Sequence, residues 1–124
     1  MTEPPLILVA DDDEDILALL SLQLRRLGYR VAQAADGEEA LEQIAQTQPA
    51  LVLLDVMMPR MSGYDVLRQL RAAAPTAELP VVLISARAHP PVAAASLDAG
   101  ADAYLTKPFG AEVLAETIRG LLGS

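Results

Sequence analysis

Short apolar runs alternate with longer amphipathic stretches along this chain of 124 residues. The runs are too short to be helices, and they are rich enough in Leu, Val, Ile and Ala to form buried strands. The predicted strands are Leu6–Ala10, Val31–Ala35, Leu51–Leu54, Val81–Ile84 and Ala103–Leu105. The hydrophobic pattern therefore predicts five strands separated by helical segments.

The first amphipathic stretch shows how the helices are recognised. Its apolar side chains recur at helical spacing, and Gly28 provides a C-terminal stop. The predicted apolar face consists of Ile16, Leu19, Leu20, Leu24 and Leu27. Asp13, Glu14 and Asp15 precede this face, and because acids in a first helical turn favour the helix dipole, they need no functional role.

A helix is also predicted after each of the other strands. Asp36 is placed to cap the second helix, and Ser62 and Asp65 have the spacing of a capping box at the start of the third. The segment Ala72–Leu79 is interpreted as a polar connection. The last two predicted helices are an Ala-rich stretch from Pro91 to Gly100 and an amphipathic stretch from Ala111 to Leu122.

The alternation of strand and helix predicts the class of fold. Strands that are apolar on both faces suit a parallel sheet covered by helices on both sides. The predicted architecture is therefore α/β, a doubly wound five-stranded parallel sheet of the (βα)5 type. No internal repeat or linker interrupts the pattern, so residues 1–124 are predicted to form a single domain.

Polar side chains follow four of the five predicted strands. Asp11 and Asp12 follow the first strand, Asp55 the third and Ser85 the fourth, while Thr106 and Lys107 follow the fifth. In an open parallel sheet the ligand site lies beyond the carboxyl ends of the strands. These side chains are therefore predicted to converge at one edge of the sheet.

Convergence of the three carboxylates would be costly without a counter-charge. At ~4 Å and an effective dielectric constant of ~20, each ionised pair repels by about 4 kcal/mol. A bound proton or cation relieves this repulsion, and oxygen ligands without His or Cys favour a hard ion such as Mg²⁺. Asp55 is the candidate nucleophile for phosphoryl transfer, Lys107 faces the anionic group, and Ser85 donates a hydrogen bond to it.

Composition and charge exclude several other classes of protein. Apolar residues make up 52% and charged residues 21%, and the absence of cysteine excludes disulfides and thiolate chemistry. The net charge of −8 argues against nonspecific nucleic-acid binding. No apolar run approaches ~20 residues, and no signal peptide is recognisable, so a cytoplasmic protein without membrane contact is expected.

Four separated motifs in the sequence resemble the motifs of a known protein family. "LILVADDDEDI", "LVLLDVMMPRMSGYD", "VVLISARA" and "GADAYLTKPF" resemble the receiver domain of two-component response regulators, over about Leu6 to Leu122. The resemblance implies strand order 2-1-3-4-5 and a phosphoryl group passed to Asp55 from a histidine kinase or phosphotransfer protein. It also implies Mg²⁺ or Mn²⁺ bound by Asp12, by Asp55, by the carbonyl of Met57 and, largely through water, by Asp11.

The same resemblance assigns roles to the remaining motif residues. Ser85 and Tyr104 match the switch pair, and Lys107 matches the phosphoryl-binding lysine, with a Lys107–Pro108 bond that is usually cis. Met57 and Arg87 match the positions that tune phosphoryl lifetime, and apolar Met57 predicts slow to moderate self-dephosphorylation. Two packing expectations accompany these roles: Met57 and Met58 place their side chains in the core, and Phe109 packs beneath Lys107.

The expected role is a signalling switch that catalyses only its own phosphorylation and slow dephosphorylation. The resemblance implies that phosphorylation switches the face formed by the fourth helix, fifth strand and fifth helix. This face then controls a protein partner or a fused output domain, or it forms a homodimer, and the domain does not bind nucleic acid directly. Both a stand-alone regulator and a receiver from a longer chain stay open.

Two other functions are weighed against this one. "DDDED" after an apolar strand also suits a Mg²⁺-dependent phosphatase with an aspartyl nucleophile, but its nucleophile would lie at the first strand. A phosphorylation-independent adaptor of the same fold would be expected to lack one of the acids, Ser85 or Lys107, and all are present. An EF-hand calcium loop is excluded because Ile16 occupies the position that requires glycine.

Overall fold

The computed structural model describes residues 3–85 and 100–123 of the chain. Strands and helices alternate along it, and a short 3-10 turn at Ala74–Thr76 precedes the fourth strand. The strands are β1 (Leu6–Ala10), β2 (Arg30–Ala34), β3 (Leu51–Asp55), β4 (Val81–Ser85) and β5 (Ala103–Thr106). The helices within the described ranges are α1 (Glu14–Arg26), α2 (Gly37–Thr47), α3 (Gly63–Ala72) and α4 (Ala111–Leu122).

The strands form one parallel sheet in the order β2-β1-β3-β4-β5, which confirms the expected order. The register places the strand ends together: Ala10 lies opposite both Ala34 and Leu54, and Ser85 lies opposite Thr106. As a result, the residues that follow β1, β3, β4 and β5 share one edge of the sheet.

Helices cover both faces of the sheet, as predicted. Alternate residues of the central strands point to opposite faces, so Leu8 and Val52 pack with α2 and α3, while Ile7 and Leu53 pack with α1 and α4. The side chains of the central strands β1, β3 and β4 are almost all fully buried. This double burial explains why these strands read as continuous apolar runs.

Local capping interactions fix where the helices begin. The side chains of Asp13 and Asp36 accept hydrogen bonds from backbone N–H groups in the first turns of α1 and α2. Ser62 and Asp65 form the predicted capping box of α3, and the donors of Ser62 hold the pKa of Asp65 below its usual range. Gly28 follows α1 with φ of +98°, in the left-handed region that favours glycine.

Arg71 of α3 binds residues at the amino edge of the sheet. The Arg71 guanidinium donates hydrogen bonds to the carbonyls of Gly100, Thr76 and Leu79, and it forms a 2.9 Å ion pair with Asp102. The Asp102 carboxylate also accepts a hydrogen bond from the backbone N–H at the start of β4. The entry points of β4 and β5 are thereby held together.

Several predictions about individual segments were wrong in detail. Leu19 was placed on the buried face of the first helix, but its side chain is 55% exposed, and Leu17 takes the buried position instead. The buried stripe of α1 therefore runs through Leu17, Leu20 and Leu24. A leucine-rich helix offers more than one apolar stripe, so spacing alone did not select the right one.

The second strand also differs from its prediction. It begins one residue earlier, at Arg30, ends at Ala34, and is largely exposed or half-buried. Because β2 lies at an edge of the sheet, Gln33 reaches solvent and donates to the Ser21 hydroxyl at 2.6 Å. Strands β3, β4 and β5 each extend one residue further than predicted, while Ala111–Leu122 matches its prediction.

Two further predicted segments are the connection before the fourth strand and the helix after it. The predicted polar connection Ala72–Leu79 contains the 3-10 turn, and α3 includes Ala72. The helix predicted from Pro91 lies outside the described residues. None of the helices within the described ranges combines the length and apolarity that crossing a membrane requires.

Candidate functional site

The three predicted carboxylates meet at the carboxyl edge of the sheet. Asp11 and Asp12 follow β1, and Asp55 is the last residue of β3, its neighbour in the sheet. One oxygen from each lies within 4.8 Å of the others. This acidic cluster (Asp11, Asp12 and Asp55) confirms the predicted convergence. Asp11 and Asp55 are buried, whereas Asp12 is exposed.

Lys107 brings positive charge into the acidic cluster from the far end of the chain. Its ammonium lies 2.8 Å from one carboxylate oxygen of Asp11 and 3.6 Å from an oxygen of Asp55. The other oxygen of Asp11 accepts a hydrogen bond from the backbone N–H of Asp13 at 2.9 Å. Both oxygens of Asp11 are thus engaged, and Asp11 is the closer partner of the lysine.

Asp55 has an unusual protonation equilibrium as a result of its surroundings. Burial at the end of β3 is the largest influence, and the negative charge of Asp11 acts in the same direction. The ammonium of Lys107 and a hydrogen bond from the backbone N–H of Met57 oppose them. The balance raises the pKa of Asp55 from 3.8 to about 6.

The donor atoms of the acidic cluster fit a hard divalent cation. The side chains offer only carboxylate oxygens within a span of 4.8 Å, which is the chemistry that Mg²⁺ and Mn²⁺ select. Three carboxylates and one ammonium also leave an excess of negative charge for a cation to neutralise. Asp11 makes the short contact with Lys107, whereas Asp55 lies farther from the ammonium, at 3.6 Å.

The ends of β4 and β5 complete the edge of the sheet. Ser85 is buried, and its carbonyl accepts a 2.7 Å hydrogen bond from the backbone N–H of Lys107. The Lys107–Pro108 peptide bond is cis, as the resemblance implied. Tyr104 is half-buried and packs against the core layer under α2 and α3, and Phe109 is half-buried against the opposite layer.

The loop that follows Asp55 carries the two methionines. Met58 is buried in the core, as predicted, but the expectation for Met57 was wrong because its side chain is 73% exposed. In the β3–α3 loop (residues 56–62) the side chain of Met57 faces solvent, while the backbone N–H of Met57 donates a hydrogen bond to Asp55. Arg87, the other predicted lifetime-tuning position, lies outside the described residues.

Two features of the site were missing from the sequence-based reasoning. Lys107 was assigned to an incoming anion, yet it pairs with Asp11, and no local signal identifies which acid a lysine 96 positions away will contact. Gly63 was given no role of its own, whereas it lies directly against the backbone of Asp55. A glycine at the first position of a capped helix is the one signal that was available.

Comparison with known proteins agrees with this geometry. The family model for the response regulator receiver domain matches residues 7–119. The response regulator MprA of Mycolicibacterium vanbaalenii is 47% identical over 119 residues, which cover 96% of this chain and 51% of MprA. The chain thus spans about half the length of the curated relatives that it matches.

Solved structures share the fold along nearly the whole chain. A crystal structure from Chloroflexus aurantiacus J-10-fl has a TM-score of 0.93 at 36% identity, covering 98% of this chain and 99% of that one. The receiver domain of the sensor histidine kinase PA1611 from Pseudomonas aeruginosa PAO1 has a TM-score of 0.90 at 30% identity, with 98% and 99% coverage. That structure has a magnesium ion coordinated in its active-site cleft.

Proposed function

The chain belongs to the response regulator receiver domain family, and on that premise we propose that it is a phospho-accepting switch whose acceptor is Asp55. One observation carries the proposal: Asp55 ends the central strand β3 within 3.6 Å of the Lys107 ammonium and inside the acidic cluster. A nucleophile, a cation and metal-ligating oxygens are the groups that phosphoryl transfer to a carboxylate requires.

The transfer step follows from the state of Asp55. With a pKa of about 6, the carboxylate is mostly ionised at neutral pH and retains a nucleophilic oxygen. That oxygen forms a bond to phosphorus while the bond from phosphorus to the histidine nitrogen of a kinase or phosphotransfer protein breaks. The nitrogen keeps the electron pair, and the phosphoryl group is left on Asp55.

A divalent cation, Mg²⁺ or Mn²⁺, completes the proposed site. Asp12, Asp55 and the carbonyl of Met57 would hold it directly and Asp11 through water; when bound, it neutralises charge on the transferred oxygens. Asp11 keeps its contact with Lys107 and so orients the ammonium beside the acceptor. Asp12 is exposed, which leaves its oxygens accessible from solvent.

Switching is proposed to begin at Lys107 and Ser85. The phosphoryl group adds about −1.5 to −2 charge next to an ammonium that is shared between two acids. The interaction of the phosphoryl group with Lys107 and with the Ser85 hydroxyl shifts the balance between two arrangements of the edge. Tyr104, which lies in β5, carries that shift to the responding face. The responding face includes β5 and α4, which is the fifth of the predicted helices, and its partner is a downstream protein, a fused output domain or a second copy.

Three further properties belong to the same proposal. The domain catalyses only its own phosphorylation and slow dephosphorylation, with Asp55 as the acceptor. Self-dephosphorylation is slow to moderate, because the exposed thioether of Met57 has no group that would activate water. The proposed location is the cytoplasm, with which a chain without cysteine is compatible.

The deciding experiment is intact mass spectrometry after incubation with acetyl phosphate, with Mg²⁺ or with chelator. We expect one phosphoryl adduct on the wild type that requires Mg²⁺, is labile to hydroxylamine and is absent from Asp55→Asn. Asp36→Asn is the matched control, because Asp36 lies at the same edge and asparagine caps a helix equally well.

Other results would point elsewhere. An adduct that persists in Asp55→Asn, or phosphatase activity that survives this change, would contradict the assignment of Asp55. The absence of any adduct together with the absence of Mg²⁺ binding would favour a phosphorylation-independent adaptor.

A further inference from the structure

The first helical residue of α3 lies against the backbone of the acceptor. A Cβ atom built on Gly63 would lie 2.5 Å from the carbonyl oxygen of Asp55, 3.1 Å from its carbonyl carbon and 3.1 Å from the Cα of Val56. Non-bonded heavy atoms of residues beyond the chain neighbours essentially never approach a Cβ within 3.0 Å. Any side chain at Gly63 therefore forces the start of α3 and the end of β3 apart by roughly half an ångström or more.

The backbone on both sides of this contact is held in place. Val56 donates to the carbonyl of Ile84 in β4 at 2.8 Å, and Gly63 donates to the carbonyl of Val56 at 3.1 Å. Val66 and Leu67, in the next turn of α3, are fully buried in the core. Because the clashing atoms belong to the main chain, no change of rotamer can relieve the clash.

The requirement for glycine here is one of space. The described glycines with left-handed φ are Gly28, Gly100 and Gly123, and Gly63 is not among them. Alanine at this position would therefore meet no intrinsic backbone penalty beyond the contact itself. Its effect would be transmitted to Asp55 and to the first residues of the β3–α3 loop.

We propose that Gly63 is a positioning residue for the phosphoryl acceptor: its missing side chain lets α3 seat directly on the backbone of Asp55 and so sets where that carboxylate stands relative to Asp12 and Lys107. The inference rests on the proposed function for its catalytic consequence. Its consequence for cation binding by the acidic cluster is independent of phosphorylation.

The test compares Gly63→Ala with two matched variants. Ser62→Ala removes the capping side chain of the same helix end, so it weakens the fold without adding an atom near Asp55. Gly120→Ala adds the same methyl group to α4, where it would meet no atom within 4 Å other than the neighbouring backbone of its own helix. Folded protein is confirmed by circular dichroism and NMR, Mg²⁺ affinity is measured by calorimetry, and the phosphorylation rate is followed by mass spectrometry with acetyl phosphate.

We expect Gly63→Ala to bind Mg²⁺ several-fold more weakly and to be phosphorylated at least tenfold more slowly, since displacements near 1 Å can cost about 100-fold in rate. Ser62→Ala and Gly120→Ala should stay within about twofold of the wild type in both measurements. A residue important only for stability would lower the unfolding free energy and leave both properties of the folded protein unchanged.

The remaining outcomes are also decisive. Wild-type Mg²⁺ affinity and phosphorylation rate in folded Gly63→Ala would overturn the inference. If the wild type itself accepts no phosphoryl group, the proposed function fails, and the Mg²⁺ affinities alone decide the role of Gly63. If Gly63→Ala does not fold, the double variant with Gly120→Ala is studied at low temperature in a stabilising osmolyte. If the double variant also stays unfolded, Gly63 is a folding determinant, and the positioning role is overturned.

Discussion

Asp55 illustrates how one residue combines an unfavourable environment with a chemical role. Burial and the charge of Asp11 disfavour its ionised form, while Lys107 and the Met57 N–H compensate only in part, so its pKa lies at about 6. An ordinary aspartate in an unfolded chain has a pKa of 3.8. The folded protein therefore binds the proton more tightly than the unfolded chain does.

The sign of the pH dependence follows directly. Below pH 3.8 both the folded and the unfolded chain carry the proton on Asp55, so this group does not lower the free energy of unfolding. Between pH 3.8 and about 6 the folded state holds more protons than the unfolded state, so the free energy of unfolding falls as pH rises. In metal-free buffer we expect Asp55→Asn to be more stable than the wild type by up to about 3 kcal/mol above pH 6, and by little below pH 4.

Urea denaturation in chelator between pH 4 and 8 measures this difference. Asp36→Asn serves as the control, because it removes a carboxylate of the same edge that lies outside the acidic cluster. A stability difference between wild type and Asp55→Asn that is the same at every pH would contradict the raised pKa.

Among the elements, α1 shows most clearly where periodicity succeeds and where it fails. The stop predicted at Gly28 agrees with the structure, whereas Asp13, interpreted as an acid of the first helical turn, is the N-cap of α1. Its buried stripe was misassigned because Leu17, Leu19 and Leu20 are all apolar. Only the position of α1 over β1 and β2 leaves Leu19 in solvent.

The two classes of leucine in α1 should differ in their contribution to stability. Leu24→Ala creates a cavity at a fully buried site and should lower the unfolding free energy by about 3 kcal/mol. Leu19→Ala removes a mostly exposed side chain and should change it by no more than about 0.5 kcal/mol. Chemical denaturation followed by circular dichroism compares the two, and equal losses would show that the stripe is assigned wrongly.

At the scale of the whole molecule, one ion pair joins the first and last strands of the sequence. Lys107 follows β5 at one edge of the sheet, and Asp11 follows β1, with β3 and β4 lying between these two strands. The ammonium thus supplies the counter-charge that the buried Asp11 needs before any cation is bound. It also competes electrostatically with a cation for the same carboxylates.

Removing the positive charge of Lys107 should lower the stability of the metal-free protein and strengthen its binding of Mg²⁺. Lys107→Met leaves Asp11 buried without its partner, so we expect a loss of about 3 kcal/mol in metal-free buffer. The same variant should bind Mg²⁺ more tightly than the wild type, because the competing positive charge is gone, yet it should be phosphorylated more slowly.

Denaturation with chelator, calorimetric Mg²⁺ titration and the acetyl phosphate assay test the three parts separately. Lys107→Arg keeps the charge and should move Mg²⁺ affinity less than Lys107→Met does. An unchanged or weaker Mg²⁺ affinity in Lys107→Met would show that the ammonium does not compete with the cation.

The sequence by itself determined the class of fold and the polar residues of the site. Buried parallel strands must be apolar on both faces, and parallel strands end at one edge, so Asp11, Asp55 and Lys107 were identifiable without coordinates. The caps at Asp36 and Ser62 were predictable for a similar reason, because they depend on neighbouring residues alone.

Contacts between distant residues were decided only by the tertiary structure. The pairing of Lys107 with Asp11, the exposure of Met57 and the approach of Gly63 to Asp55 each join or separate segments whose relative position no local pattern encodes. The raised pKa of Asp55 belongs to the same group, since burial and a neighbouring charge exist only once β1 and β3 lie side by side.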